Sequence, residues 1–115
     1  MVRGTGLVWR LPGDLGRRYA AVSGDHNPIH LYPLTAKAFG FPRQIAHGMW
    51  TKARSIAAVE NRLPEQVRVD VAFKKPLFLP GTAEFRVAQD DDELRFALVS
   101  PKNDAPHLLG RARQT

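Results

Sequence analysis

One segment constrains the fold of this chain more than any other: GMWTKARSIAAVENRL, Gly48 to Leu63. Met49, Ala53, Ile56 and Leu63 recur at helical spacing with Trp50 and Ala57 beside them, while Lys52, Glu60, Asn61 and Arg62 fall mostly on the opposite side. Pro64 stops the helix, because the residue before a proline is pushed out of the α region. Beyond it the period changes. Val67, Val69, Val71 and Phe73 alternate with Gln66, Arg68, Asp70 and Ala72, the two-residue repeat of a half-buried strand. Pro76, Pro80 and Gly81 then punctuate the chain, and strands are predicted over roughly 82–89, 94–100 and 107–113, with the DDDE run at 90–93 as a charged, solvated hairpin turn. A long helix followed by about four consecutive strands describes an α+β domain, an antiparallel sheet with one long helix on its face.

The first half supplies shorter elements. LVWRL, residues 7–11, reads as a strand. Pro12, Gly13 and Asp14 turn the chain, and Asp14 is placed to cap a helix over about 15–22. Gly24 and Pro28 forbid regular helix through residues 23–28. A further short helix is predicted from Pro33 to Phe39, ended by Gly40. With 115 residues and no repeat or linker, the chain reads as a single domain, 1–115, whose small core favours pairing with another subunit.

Composition removes several classes of function. The chain has no cysteine, so disulfides, thiolate nucleophiles and cysteine-based metal centres are excluded, which fits a reducing cytoplasm. The first residues contain no apolar h-region of a secretory signal, and no apolar run approaches the roughly 18–20 residues of a membrane span. The net charge of +6 suits nucleic acid or a phosphorylated small ligand. Clusters of aromatic and basic residues that would stack bases are not evident, so no nucleic-acid partner is expected. The distribution of charge says more: between Leu15 and Val59 the only acid is Asp25, among Arg17, Arg18, Lys37, Arg43, Lys52 and Arg54.

That isolated carboxylate lies in SGDHNPIH, residues 23–30, for which three readings compete. His26 and His30 are four apart, as in helical zinc motifs, but Pro28 between them removes the shared helical face and Asp25 alone is a weak complement, so no metal is expected. A polar turn is the plain alternative, since Gly-Asp and Asn-Pro are common turn dipeptides and His30 would then be a packed core histidine. The third reading is a catalytic pair. On an irregular loop Asp25 and His30 can converge on one water, one accepting a proton while the other holds or returns one, with Asn27 fixing the loop and Pro28 stiffening it.

The stretch YAAVSGDHNPIHLYPLTAKAFGFPRQIAHGMW, Tyr19 to Trp50, closely resembles the signature of the MaoC-like, or hydratase 2, family, and the resemblance continues more loosely through FKKPLFLPG, residues 73–81. The family contains (R)-specific enoyl-CoA hydratases and 3-hydroxyacyl-thioester dehydratases. The resemblance implies a hot-dog fold, a long central helix (here Gly48 to Leu63) wrapped by a curved antiparallel sheet. It maps the catalytic dyad onto Asp25 and His30, the supporting asparagine onto Asn27, and the thioester-binding backbone N–H onto Gly48. Independently of any family, Gly48 opens a helix, where free N–H groups and the dipole favour developing negative charge, and glycine allows close approach. Ser55, with Thr51 as a competitor, is a candidate for the hydroxyl that orients the aspartate. His47 reads as packing or capping at the helix start, and Tyr19 as a packing aromatic.

The activity implied is reversible hydration of trans-2-enoyl thioesters to (R)-3-hydroxyacyl thioesters, without cofactor or metal. Lys74 and Lys75 are candidates for the phosphates of coenzyme A or a carrier-protein arm. A hot-dog module that binds acyl thioesters without turnover, and a dehydratase of carrier-protein substrates, stand as alternatives. The resemblance also implies a homodimer with sheets joined edge to edge, or pairing with a second hot-dog module.

Overall fold

The period change at Pro64 marks the boundary between the two halves of the structure. In the computed structural model, which describes residues 6–90 and 92–115, β1 (Leu7–Leu11), α1 (Leu15–Ser23), α2 (Pro33–Ala38) and α3 (Gly48–Val59) precede β2 (Val67–Phe73), β3 (Gly81–Asp90), β4 (Glu93–Val99) and β5 (Pro106–Gln114). One 3-10 turn, Pro28–His30, lies between α1 and α2, and another, Glu60–Arg62, extends α3. The strands form one antiparallel sheet in the order β1-β3-β4-β5-β2. The predicted elements are thus all present. Asp90 pairs with Glu93 across the β3–β4 hairpin, so the acidic run is its turn, although Asp91 within it lies outside the described residues.

Alternation along the strands assigns the two faces of the sheet. Trp9, Leu11, Phe85, Leu94, Phe96, Leu98 and Leu108 share a core with Val59 of α3, and Trp50 packs against it. Trp9 stacks on Phe85 at 5.0 Å and meets Trp50 edge-on at 6.5 Å, which ties β1 to β3 and to the helix. Gly110 pairs with Phe96 across β4 and β5, and a Cβ there would overlap the Phe96 ring, so the glycine makes the room in which that ring lies. On the other face, Ala97 and Val99 are buried where Glu84 and Arg86 pair with them in register. The Arg86 guanidinium bonds both Glu84 and Asp104, and holds the Glu84 carboxyl below its ordinary value.

Two local expectations are corrected. Asp14 stands at the N-cap of α1 but its side chain caps nothing; it pairs instead with Arg18 one turn on, at 3.4 Å. The buried stripe of α3 is Thr51, Ser55 and Val59, while Met49, Ala53 and Ala57 are exposed. The helix can bury two hydroxyl residues because both are satisfied within it: Thr51 Oγ1 donates to the Gly48 carbonyl at 2.6 Å and Ser55 Oγ to the Thr51 carbonyl at 2.7 Å.

Candidate active site

Residues 23–30 form a loop shaped by its own polar groups. Gly24, at φ 81°, ends α1 in the left-handed conformation and donates to the Ala20 carbonyl. The Asp25 N–H donates to Ser23 Oγ, and the Asn27 N–H to Asp25 Oδ1, both at 3.1 Å. Asn27 then starts the 3-10 turn, with Oδ1 accepting from the Ile29 N–H and its carbonyl from the His30 N–H. Pro28 takes the first position of that turn, where its missing N–H costs nothing. Asn27 is thus bonded to the backbone of its own loop at both its side chain and its carbonyl.

The turn delivers His30 into the protein. Its ring is buried, and Nδ1 donates to the Ile45 carbonyl at 2.8 Å, which leaves Nε2 with the free lone pair when the ring is neutral. Burial holds the imidazole below its ordinary value, with a push in the same direction from His47. The Ile45 carbonyl and Asp25 act the other way. A neutral His30 is a competent base. Asp25, half exposed, approaches the same place: one of its carboxylate oxygens, a ring nitrogen of His30 and a ring nitrogen of His47 all lie within 4.8 Å of one another. Two hydrogen bonds of roughly 2.8 Å can bridge such a gap through one water.

His47 has a larger part here than its place in the sequence suggests. Its ring stacks on His30 with centroids 3.8 Å apart, and its Nε2 donates to the Asp25 backbone carbonyl at 3.0 Å. His47 stands at the N-cap of α3, where its carbonyl accepts from Trp50 and Thr51 but its side chain makes no cap bond. A lone histidine inside the apolar-rich IAHGM is the only signal of it in the sequence. The three side chains make a poor cradle for a cation. Two of their four ring nitrogens already donate to carbonyls, and the lone pairs of two rings stacked at 22° run side by side rather than converging on one ion. His26 points elsewhere, with Nδ1 on the Gly24 carbonyl.

Gly48 is the first residue of α3, and among the described residues neither its N–H nor that of Met49 has a partner. Gly48 borders a cleft of about 210 Å³, lined also by His30, Thr51, Phe73, Lys74, Lys75 and His107, among others. The Phe73 ring lies over the glycine, 3.1–3.4 Å from where a Cβ would stand. Lys74 and Lys75 are exposed at the rim, their N–H groups bonded to the His107 and Pro106 carbonyls. Ser55 is fully buried with its hydroxyl on the Thr51 carbonyl, and makes no bond to Asp25; Thr51, one turn nearer, does line the cleft.

Comparisons with known proteins bear on the family and the fold. The profile described as MaoC like domain matches residues 13–105. The 3-hydroxyacyl-thioester dehydratase X of Mycobacterium tuberculosis is 50% identical over 97 residues, 84% of this chain and 35% of its own length. An (R)-specific enoyl-CoA hydratase of Aeromonas caviae is 35% identical over 75 residues, 60% of this chain and 56% of its own. The crystal structure of HtdX of M. tuberculosis is similar with a TM-score of 0.90 and 46% identity, covering 96% of this chain and 48% of that one. The chain thus spans about a third to a half of the length of these mycobacterial relatives. A five-stranded antiparallel sheet around one central helix, together with a match over most of its length, places the chain in the MaoC-like domain family, with the hot-dog fold.

Proposed function

We propose that the protein catalyses the reversible addition of water to trans-2-enoyl thioesters, giving (R)-3-hydroxyacyl thioesters. The observation that carries this reading is the convergence of the Asp25 carboxylate and the His30 ring, with His30 lining the same cleft as Gly48, whose N–H has no partner among the described residues. The names of the relatives, a 3-hydroxyacyl-thioester dehydratase and an (R)-specific enoyl-CoA hydratase, support it. A water shared by Asp25 and His30 gives its oxygen to the β-carbon and a proton to the dyad. Charge gathers on the thioester oxygen, where the Gly48 N–H at the positive end of α3 stabilises it. The dyad then delivers a proton to the α-carbon, so the sum is addition of one water across the double bond. Asn27 holds the loop in shape. Lys74 and Lys75, at the rim of the same cleft, are placed to meet phosphates of coenzyme A or of a carrier-protein arm.

The assembly we infer is a homodimer, or a pair with a second hot-dog module. It is supported by the two strands that pair on one side only among the described residues, β1 and β2, with Leu7 and Val8 of β1 exposed, and by the greater length of the relatives. No helix among the described residues is long and apolar enough to cross a membrane. The lack of cysteine supports a cytoplasmic setting.

The test is hydration of crotonyl-CoA by the parent, Asp25→Asn, His30→Ala and the double variant, with a thermal melt of each. Asparagine preserves a turn but not the charge, so activity should collapse while folding survives. Because the two groups act on one water, the double variant should be scarcely slower than either single one. Near-parental turnover by folded Asp25→Asn would return the loop to a polar turn.

A further inference from the structure

His47 takes no part in these proton transfers, yet it is more enclosed than either member of the dyad. Its side chain is 2% exposed. One face stacks on His30, the edge of Tyr19 meets it at 4.8 Å, and Nε2 donates to the Asp25 carbonyl. Asp25 Oδ2 stands 3.9 Å from the same nitrogen. The other ring nitrogen, Nδ1, is buried without any partner among the described residues. A residue kept only for packing would not carry that cost, since a phenylalanine or leucine would fill the space with no polar atom left over.

What the imidazole supplies and a hydrocarbon cannot is its one hydrogen bond, and the acceptor is informative. The other hydrogen bonds of the loop at 24–27 run between near neighbours: Gly24 to Ala20, Asp25 to Ser23, His26 to Gly24, Asn27 to Asp25, Ile29 to Asn27 and His30 to Asn27. Such bonds set the shape of the loop but not its position against the rest of the site. The bond from His47 spans twenty-two residues and joins the loop to the start of α3, where Gly48 stands.

We propose that His47 is the positioning residue of this site: its Nε2–H anchors the Asp25 carbonyl while its ring backs the His30 imidazole, so that carboxylate, imidazole and the Gly48 N–H are held in one geometry. The proposal rests on the reading of Asp25 and His30 as a dyad. Its consequence is a role in turnover rather than in binding, because the groups it aligns act on the water, whereas the thioester lies against α3 and the cleft wall.

Two substitutions separate this role from packing. His47→Phe keeps a ring against His30 and Tyr19 but removes the donor; His47→Gln keeps a donor and removes the ring. Both are measured beside the parent for kcat and KM on crotonyl-CoA, for Kd of butanoyl-CoA, a saturated analogue that cannot react, and for Tm. Misplacement by about 1 Å costs up to about 100-fold, so His47→Phe should lose roughly 10- to 100-fold in kcat. Its butanoyl-CoA affinity should stay within about twofold of the parent, and His47→Gln should recover most of the lost rate. Parental kcat in folded His47→Phe overturns the proposal. So does an equal loss in both variants accompanied by lost butanoyl-CoA binding, or failure of both to fold, either of which makes His47 a packing residue. A parent that binds butanoyl-CoA but does not hydrate crotonyl-CoA refutes the dyad itself, a result distinguishable from failure of the variants alone.

Discussion

Replacing Gly16 by alanine should slow the proposed hydration without touching substrate. Gly16 is buried in α1 against the backbone of the turn that carries His30. A Cβ built there overlaps the His30 carbonyl oxygen, and lies 2.9 Å from the carbonyl carbon and 3.4 Å from His30 Cβ. A flexible side chain could swing aside, but a carbonyl moves only with its turn. Regaining an ordinary contact with that oxygen therefore requires α1 and the turn to part by more than about 1 Å. Overpacking of this kind costs about 1–3 kcal/mol, and the better helix propensity of alanine returns up to about 1 kcal/mol. For a domain of this size a net loss of 1–2 kcal/mol lowers Tm by roughly 4–8 °C. The catalytic cost is larger in proportion, because a 1 Å displacement of His30 is worth up to about 100-fold in rate. Gly40→Ala is the control. Its φ is 92° and nothing lies within 4 Å of a Cβ, so it should lose about 1–2 kcal/mol of stability and keep its kcat. Crotonyl-CoA hydration, followed by loss of enoyl absorbance, and a thermal melt measure both. A folded Gly16→Ala protein with parental kcat and Tm would refute the claim that this close approach sets the position of His30.

Gly48→Val should crowd both the thioester oxygen and the Phe73 ring, and lower kcat by the equivalent of about 3–4 kcal/mol; a rise in KM alone would make Gly48 an ordinary binding contact. The acid limb of kcat/KM should fall below pH 6.5, because burial lowers the His30 value and only the neutral ring is a base. The same shift makes stability rise with pH up to about 6.5, since between the two values the unfolded chain binds the proton that the folded one refuses; a pH series of melts checks it. Glu84 is held low chiefly by Arg86, so its contribution to stability is present above its unfolded value near 4.5 and lost as pH falls below it. Glu84→Gln should accordingly narrow the gap between Tm at pH 7 and at pH 4.

What the sequence determined by itself was whatever depends on neighbours along the chain. The order of helix and strands came from two hydrophobic periods, and their change at Pro64. Asp25, Asn27 and His30 were legible as candidates because one short loop holds all three, and its shape comes from local bonds. The place of Gly48 at the start of α3 was legible because a helix start is a local feature.

Tertiary packing decided the rest. Periodicity identifies the apolar side of α3, but the sheet took the Thr51–Ser55–Val59 side, whose hydroxyls count as polar in a sequence and are silenced by carbonyls of their own helix. His47 stands twenty-two residues from the carbonyl it holds, and Phe73 twenty-five from the glycine it covers. Gly16 and Gly110 look like ordinary glycines until another chain segment lies where their Cβ atoms would be. Such relations arise only when separate elements come into contact, and no spacing encodes them. Spacing states which groups can share a loop or a face, while close packing determines which groups from elsewhere lie against them.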